Sequence, residues 1–129
     1  MILADTNIII DFWKNPNQEQ IEIFNNNEIA ICPVIMVELI HGAKSEKQKS
    51  KIKEALRELR MLSIDDKTWE LFGDLLYKLK TSGVTVPFQD ALVASVAIKN
   101  KCLLWTNDKH FEMINRVIER LKLLKRPTF

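Results

Sequence analysis

The sequence has little of what marks thiolate metal sites or membrane spans. Only two cysteines occur among its 129 residues, Cys32 and Cys102, and neither forms a Cys-x-x-Cys pair or a His–Cys spacing. Both stand in apolar, strand-like surroundings, which predicts buried thiols in a reducing compartment and argues against a metal site built from cysteine. No stretch approaches the roughly 18 apolar residues that a membrane span requires.

Targeting signals and strong charge asymmetry are also missing. The amino terminus has no basic segment followed by an apolar stretch, so we expect no secretory leader and a cytoplasmic location. A net charge of +2 is too small to indicate a partner. With 47% hydrophobic and 28% charged residues, the composition is that of an ordinary soluble globule. The length and the absence of repeats or linkers predict one domain over residues 1–129.

Short apolar segments alternate with segments of helical spacing along the chain. The first strand, Met1 to Ala4, stops at Asp5, and a helix follows with Thr6 or Asn7 as its N-cap. This alternation predicts an α/β domain of three layers, with a mostly parallel central sheet flanked by helices. The further predicted strands are 28–32, 61–64, 102–105 and the later part of 116–125, which ends in a basic tail; the further helices are near 21–24, 34–42, 44–60, 67–80, 91–98 and 109–114.

Acidic residues stand where these elements begin or end. Asp5 and Asp108 follow apolar strands, and Asp90 begins a helix of small apolar residues. Because the carboxyl ends of parallel strands share one edge of the sheet, these three side chains can converge there. Glu38 lies inside an otherwise apolar helix, where an unpaired carboxylate is costly. Each aspartate alone could be only a cap or turn residue.

Four carboxylates in one cleft predict a cation. Without one they would repel each other and retain protons. Oxygen ligands without His or Cys favour Mg²⁺ or Mn²⁺ over Zn²⁺. Such an ion can polarise a phosphodiester and activate a water molecule, so the predicted chemistry is metal-dependent hydrolysis of a phosphate ester.

At these residues the chain resembles the PIN-domain family, in particular the VapC-type ribonuclease toxins of bacterial type II toxin–antitoxin pairs. The resemblance is carried, in the family's order, by the segments 5–11, 37–42, 90–94 and 106–111. It implies a Mg²⁺- or Mn²⁺-dependent endoribonuclease, commonly a homodimer, restrained by a small VapB-like antitoxin. The family's metal-site and catalytic positions fall on Asp5, Glu38, Asp90 and Asp108. Its conserved polar position falls on Thr106, with Asn7 as a plausible neighbour, and both are predicted to bind the substrate.

Basic residues must flank an acidic cleft that binds a polyanion. Lys109 and His110 are the best placed, because they directly follow the fourth acid, and we predict that they contact RNA. The charged helix 44–60 is predicted to be mainly solvated, while its net positive charge leaves a contact with nucleic acid open. For the antitoxin, Phe12, Trp13 and the apolar residues of 34–43 could form a groove, although they could equally be core.

Two other functions stay open on the sequence alone. A non-catalytic RNA-binding module of the same fold would be expected to have lost an acid, and none is missing. The second is a metal-dependent phosphatase of the haloacid-dehalogenase kind. Such proteins have a D-x-D pattern at the end of the first strand, whereas here Asn7 stands two residues after Asp5.

Overall fold

The computed structural model describes residues 1–124, in which strands and helices alternate as predicted. No helix in this range is both long enough and apolar enough to cross a membrane. In chain order the elements are β1 (Ile2–Ala4), α1 (Thr6–Lys14), α2 (Gln18–Asn26), β2 (Ile29–Ile31), α3 (Pro33–His41), α4 (Glu46–Leu56), β3 (Arg60–Met61), α5 (Asp66–Thr81), α6 (Phe88–Lys99), β4 (Leu103–Trp105) and α7 (Lys109–Val117).

The four strands found in residues 1–124 form one sheet in the order β3-β2-β1-β4, and every neighbouring pair is parallel. All residues of β1 and β2 are buried. Because successive side chains of a strand point to opposite faces, complete burial means that both faces of the sheet are covered. This explains why these strands are uninterrupted apolar runs, and it confirms the predicted α/β fold with a parallel sheet.

The helix α6 is the most buried helix of the domain. Its eight consecutive residues 91–98 are all buried, and it packs against α3, α5, α7 and β4. Their small side chains allow neighbouring elements to approach from every side. The thiols of Cys32 and Cys102 are also buried, as predicted.

Asp5, rather than Thr6 or Asn7, is the N-cap of α1. Its backbone is extended, with φ −71° and ψ 160°, and its carboxylate accepts a hydrogen bond from the amide of Thr6. The predicted cap was therefore wrong by one or two residues, because the residue that ends β1 also begins the helix.

Two predicted strands are shorter than expected. The third is Arg60–Met61 rather than 61–64, since the chain turns toward α5 after Leu62. The predicted last strand is reduced to one parallel bridge between Leu104 and Leu123. Its continuation and the basic tail lie outside the described residues.

The large apolar side chains of α5 do not all face the core. Leu79 is buried, but Trp69 is 50% exposed. Trp69 contacts Phe72 edge to face at 6.0 Å between ring centroids, and Phe72 contacts Phe88 of α6 in the same manner at 6.2 Å. We call Trp69, Phe72, Tyr77 and Phe88 the aromatic surface; the last two also line one groove of about 510 Å³.

Candidate active site

The sheet register brings the ends of β1 and β4 together. Ala4 is paired with Trp105, and the amide of Asp5 donates to the carbonyl of Trp105 at 2.9 Å. The next residue after each strand is therefore Asp5 on one side and Thr106 on the other. The hydroxyl of Thr106 donates to Oδ2 of Asp5 at 2.8 Å. Two positions 101 residues apart in sequence thus meet at the carboxyl edge of the sheet.

Both carboxylate oxygens of Asp5 accept hydrogen bonds. Oδ1 accepts from the amide of Thr6 at 2.8 Å, while Oδ2 accepts from Thr106, and the residue is only 8% exposed. Burial raises the pKa of Asp5 above its ordinary value, the two hydrogen bonds act in the opposite direction, and the charge of Asp108 adds to the increase. This carboxylate is costly to ionise without a nearby cation.

Glu38 reaches the same edge from the second turn of α3. The hydroxyl of Thr6 donates to its Oε2 at 3.3 Å. The residue is exposed, so the sequence argument from the cost of burying an unpaired carboxylate was wrong. Partial desolvation still raises the pKa of Glu38, and the charges of Asp5 and Asp90 raise it further. What places Glu38 in the cluster is its proximity to those two acids.

Asp90 is the third residue of α6 and lies in its first turn, because the helix begins at Phe88, earlier than the predicted start. Its Oδ2 lies 2.9 Å from Nδ1 of His110. Burial raises the pKa of Asp90, the hydrogen bond from His110 opposes this, and the charges of Asp108 and Asp5 add to the increase.

Asp108 is the N-cap of α7 and completes the group. Its Oδ1 accepts from the amide of His110 at 2.9 Å, and its own amide donates to Thr106 at 3.0 Å. Oδ1 also lies 3.2 Å from Nδ1 of His110. Hydrogen bonds therefore run from Glu38 through Thr6, Asp5, Thr106 and Asp108 to His110 and Asp90.

The structure thus brings all four predicted acids together at one edge. Three of them, Glu38, Asp90 and Asp108, border a cleft of about 310 Å³ that is also lined by Pro87, Gln89 and His110. Within it, one ligand atom from each of Asp90, Asp108 and His110 lies within 4.8 Å of the others, a spacing suited to a metal ion. The raised pKa of three carboxyl groups fits such an ion, because a cation would offset the cost of ionising them.

Two features of this site were not predicted. Thr6 was considered only as a cap, whereas its side chain joins Glu38 to the first strand; a hydroxyl directly after the strand-ending acid was the only available signal. The contact of the His110 imidazole with the carboxylates of Asp90 and Asp108 was also not predicted, and its contact with RNA stays a prediction. Of the other predicted substrate contacts, Asn7 and Lys109 are exposed and Thr106 is half-buried.

Comparison with known proteins identifies the family. The sequence model of the PIN domain matches residues 2–117. The chain belongs to the PIN-domain family. This PIN domain is 30% identical over 114 residues to ribonuclease VapC1 of Methanocaldococcus jannaschii, covering 88% of this chain and 80% of that protein. It is 31% identical over 125 residues to ribonuclease VapC2 of Rickettsia felis, covering 90% and 93%.

Solved structures with the same fold include two DNA-bound complexes. VapBC2 of Rickettsia felis, bound to a DNA fragment from its promoter, matches this PIN domain with a TM-score of 0.82 and 27% identity, over 96% of this chain and 98% of that chain. DNA-bound VapBC of Salmonella typhimurium matches with a TM-score of 0.84 and 26% identity, over 95% and 96%.

Proposed function

We propose that this protein is a divalent-metal-dependent endoribonuclease that acts as the toxin of a toxin–antitoxin pair. The observation that carries the proposal is the network in which Asp5, Glu38, Asp90 and Asp108 meet at one sheet edge. The ribonuclease names of relatives that are 30% and 31% identical support RNA as the substrate.

In this proposal the four acids hold Mg²⁺ or Mn²⁺. Held by these acids, such an ion would supply Lewis-acid polarisation of the phosphodiester and a water of lowered pKa as the nucleophile. Thr6 and Thr106 position Glu38 and Asp5 through the hydrogen bonds described above. Since both hydroxyls already have carboxylate partners, their part is to fix the acids, and a direct contact of Thr106 with RNA stays a prediction.

The exposed rim is proposed to hold the RNA. Lys109 directly follows Asp108, and Asn7 lies one residue after Thr6, so both border the acidic edge. A lysine here offsets part of the repulsion between acidic cleft and polyanion and orients the backbone without reading bases. The lysines of α4 lie on a mostly exposed helix, where Lys49 is paired with Glu46 at 2.8 Å, and they contribute less.

The experiment that tests this function is RNA cleavage by wild type and by Asp5→Asn, each in Mg²⁺, in Mn²⁺ and in EDTA. We expect cleavage only by wild type with metal. Asp11→Asn is the matched control, because it makes the same change at an exposed position of the same helix. Equal turnover by Asp5→Asn would contradict the proposal. Metal-dependent release of phosphate from a small ester, without RNA cleavage, would favour the phosphatase, and RNA binding without cleavage would favour the non-catalytic module.

We also propose a small VapB-like antitoxin as partner, supported by the similarity to two VapBC complexes. Trp13 of α1 is 38% exposed and Val37 of α3 is 59% exposed, and these two helices pack on each other. Phe12 instead stacks on Phe24 with centroids 3.8 Å apart. Purification of the untagged protein from its host should yield a small co-eluting protein; its absence would count against this partner.

A homodimer is proposed through the aromatic surface. Trp69, Tyr77 and Phe88 are 50%, 65% and 69% exposed. Large exposed apolar patches of this kind mark protein interfaces. Tyr77→Glu should shift the protein to monomers in sedimentation analysis, whereas Lys78→Glu, at the next position of the same helix, should leave the dimer intact.

A further inference from the structure

His110 occupies a position that phosphate binding alone does not explain. Its Nδ1 lies 2.9 Å from Oδ2 of Asp90 and 3.2 Å from Oδ1 of Asp108. A ring nitrogen carries at most one hydrogen, so it cannot donate fully to two carboxylates at once. One divalent cation could contact all three atoms together.

The distances suit a shared ion. An octahedral ion with bonds of about 2.1 Å holds adjacent ligand atoms about 3 Å apart. The separations of Nδ1 from the two carboxylate oxygens are close to this value. All three ligand atoms also lie within 4.8 Å of one another.

The local backbone fixes this arrangement. Asp108 is the N-cap of α7 and His110 its second residue, so the cap hydrogen bond ties the carboxylate of Asp108 to the amide of His110. Asp90 projects from the first turn of α6, and α6 packs against α7. The imidazole is therefore held beside both acids by two helix starts.

We propose that Nδ1 of His110 is a ligand of the divalent metal, together with Asp90 and Asp108. The inference rests on the proposed metal-dependent function and adds a nitrogen donor to a site that the sequence predicted to contain oxygen donors alone. Mg²⁺ strongly prefers oxygen, whereas imidazole suits transition metals. The site therefore prefers Mn²⁺ to Mg²⁺.

The first test needs no RNA. Mn²⁺ alone is added to the full-length protein, and electron spin-echo modulation is recorded. We expect a ¹⁴N coupling that changes to ¹⁵N when the protein is grown on ¹⁵N-histidine. The chain has two histidines, so His41→Ala is the matched control and should keep the coupling, whereas His110→Ala should lose it. Bound Mn²⁺ without histidine coupling, or coupling that persists in His110→Ala, would overturn the inference.

Calorimetry separates a ligand from a positioning residue. The side chain of His110 is 43% exposed, so His110→Ala should fold, which circular dichroism checks. We expect the affinity for Mn²⁺ to fall on the order of 10-fold more than that for Mg²⁺; losses of 10- to 100-fold follow removal of groups that only support a metal site. Equal weakening for both ions would make His110 a positioning residue and overturn the inference.

The outcome is separable from that of the proposed function. If the wild type cleaves RNA but shows no ¹⁴N coupling, the proposed nuclease function stands and His110 is not a metal ligand. If the wild type shows ¹⁴N coupling but does not cleave RNA, His110 is a metal ligand and the proposed nuclease function fails. Failure of wild type to bind either ion would overturn both.

Discussion

Asp5→Asn is expected to stabilise the metal-free protein. The carboxylate of Asp5 is 8% exposed and accepts two hydrogen bonds. Asn keeps one acceptor oxygen, for the amide of Thr6, and its NH₂ group can only donate to the hydroxyl of Thr106, so each of the two bonds is expected to weaken by about 1 kcal/mol. Against this loss of about 2 kcal/mol, the variant avoids the penalty for burying a charge, which is several kcal/mol per ion. Since the pKa of Asp5 is raised, burial outweighs the hydrogen bonds, and we expect a net gain of about 1 kcal/mol at pH 7.

The stability advantage of Asp5→Asn over the wild type should increase with pH. In the unfolded chain Asp5 titrates near its ordinary value of 3.8, and in the folded protein it titrates higher. Below 3.8 both states are protonated, and the wild type bears no charge penalty. As pH rises through the window between the two pKa values, the folded state retains a proton that the unfolded state releases, so stability of the wild type falls. The advantage of Asp5→Asn should therefore be small near pH 4 and larger at pH 7.

A bound metal ion should make the wild type more stable than Asp5→Asn. At 100 times its Kd, an ion that binds only the folded state adds about 2.7 kcal/mol. Wild type gains this stabilisation, while Asp5→Asn, which lacks one ligand charge, gains less. The assay is urea unfolding in EDTA and in saturating Mn²⁺ at both pH values, with Asp11→Asn as control. A wild type that is more stable than Asp5→Asn by over about 1 kcal/mol in EDTA at pH 7 would refute the reasoning.

Three further predictions follow from other contacts. Thr106→Val removes the donor to Asp5 and the acceptor of the Asp108 amide, so kcat for RNA cleavage should fall on the order of 10-fold, while exposed Thr81→Val should not change it. Lys109→Ala should raise KM alike for all RNAs and reduce the salt slope of binding by about 0.7, with Lys53→Ala doing less; a change in cleavage-site choice at unchanged slope would show that the lysine reads bases. Burial raises the pKa of the Cys32 thiol to about 11, so it should react with a disulfide reagent at pH 8 only after unfolding, and rapid reaction of the native protein would contradict its burial.

The sheet and its functional edge could be predicted because they depend on local patterns. A strand buried on both faces must be a continuous apolar run, and a parallel sheet collects its carboxyl ends. These two rules alone place Asp5 and Asp108 at one edge, and the structure agrees. The N-cap was misplaced because the pattern does not show whether a linking residue separates strand from helix.

Other features depend on the tertiary structure. Trp69 and Phe72 are three residues apart on α5, and such spacing does not tell whether side chains face the chain's own core or a partner. Glu38 was expected to be buried because its helix is apolar, whereas it lies on the exposed side with Val37. The place of His110 follows from the approach of α6 to α7, which no sequence spacing encodes.

Asp5 directly follows β1 and caps α1, with no linking residue between strand and helix. The same residue is therefore both a predicted metal ligand and the joint between two elements of the fold. The carboxylate caps the helix start and the amide of the same residue donates to the carbonyl of Trp105, so Asp5 cannot shift without breaking both contacts. The acid is thus set in place when the helix forms, and the edge has no hinge there. Changes of RNA preference would then come from the exposed rim, at positions such as Asn7 and Lys109, where a side chain can be exchanged while the cleavage machinery keeps its shape.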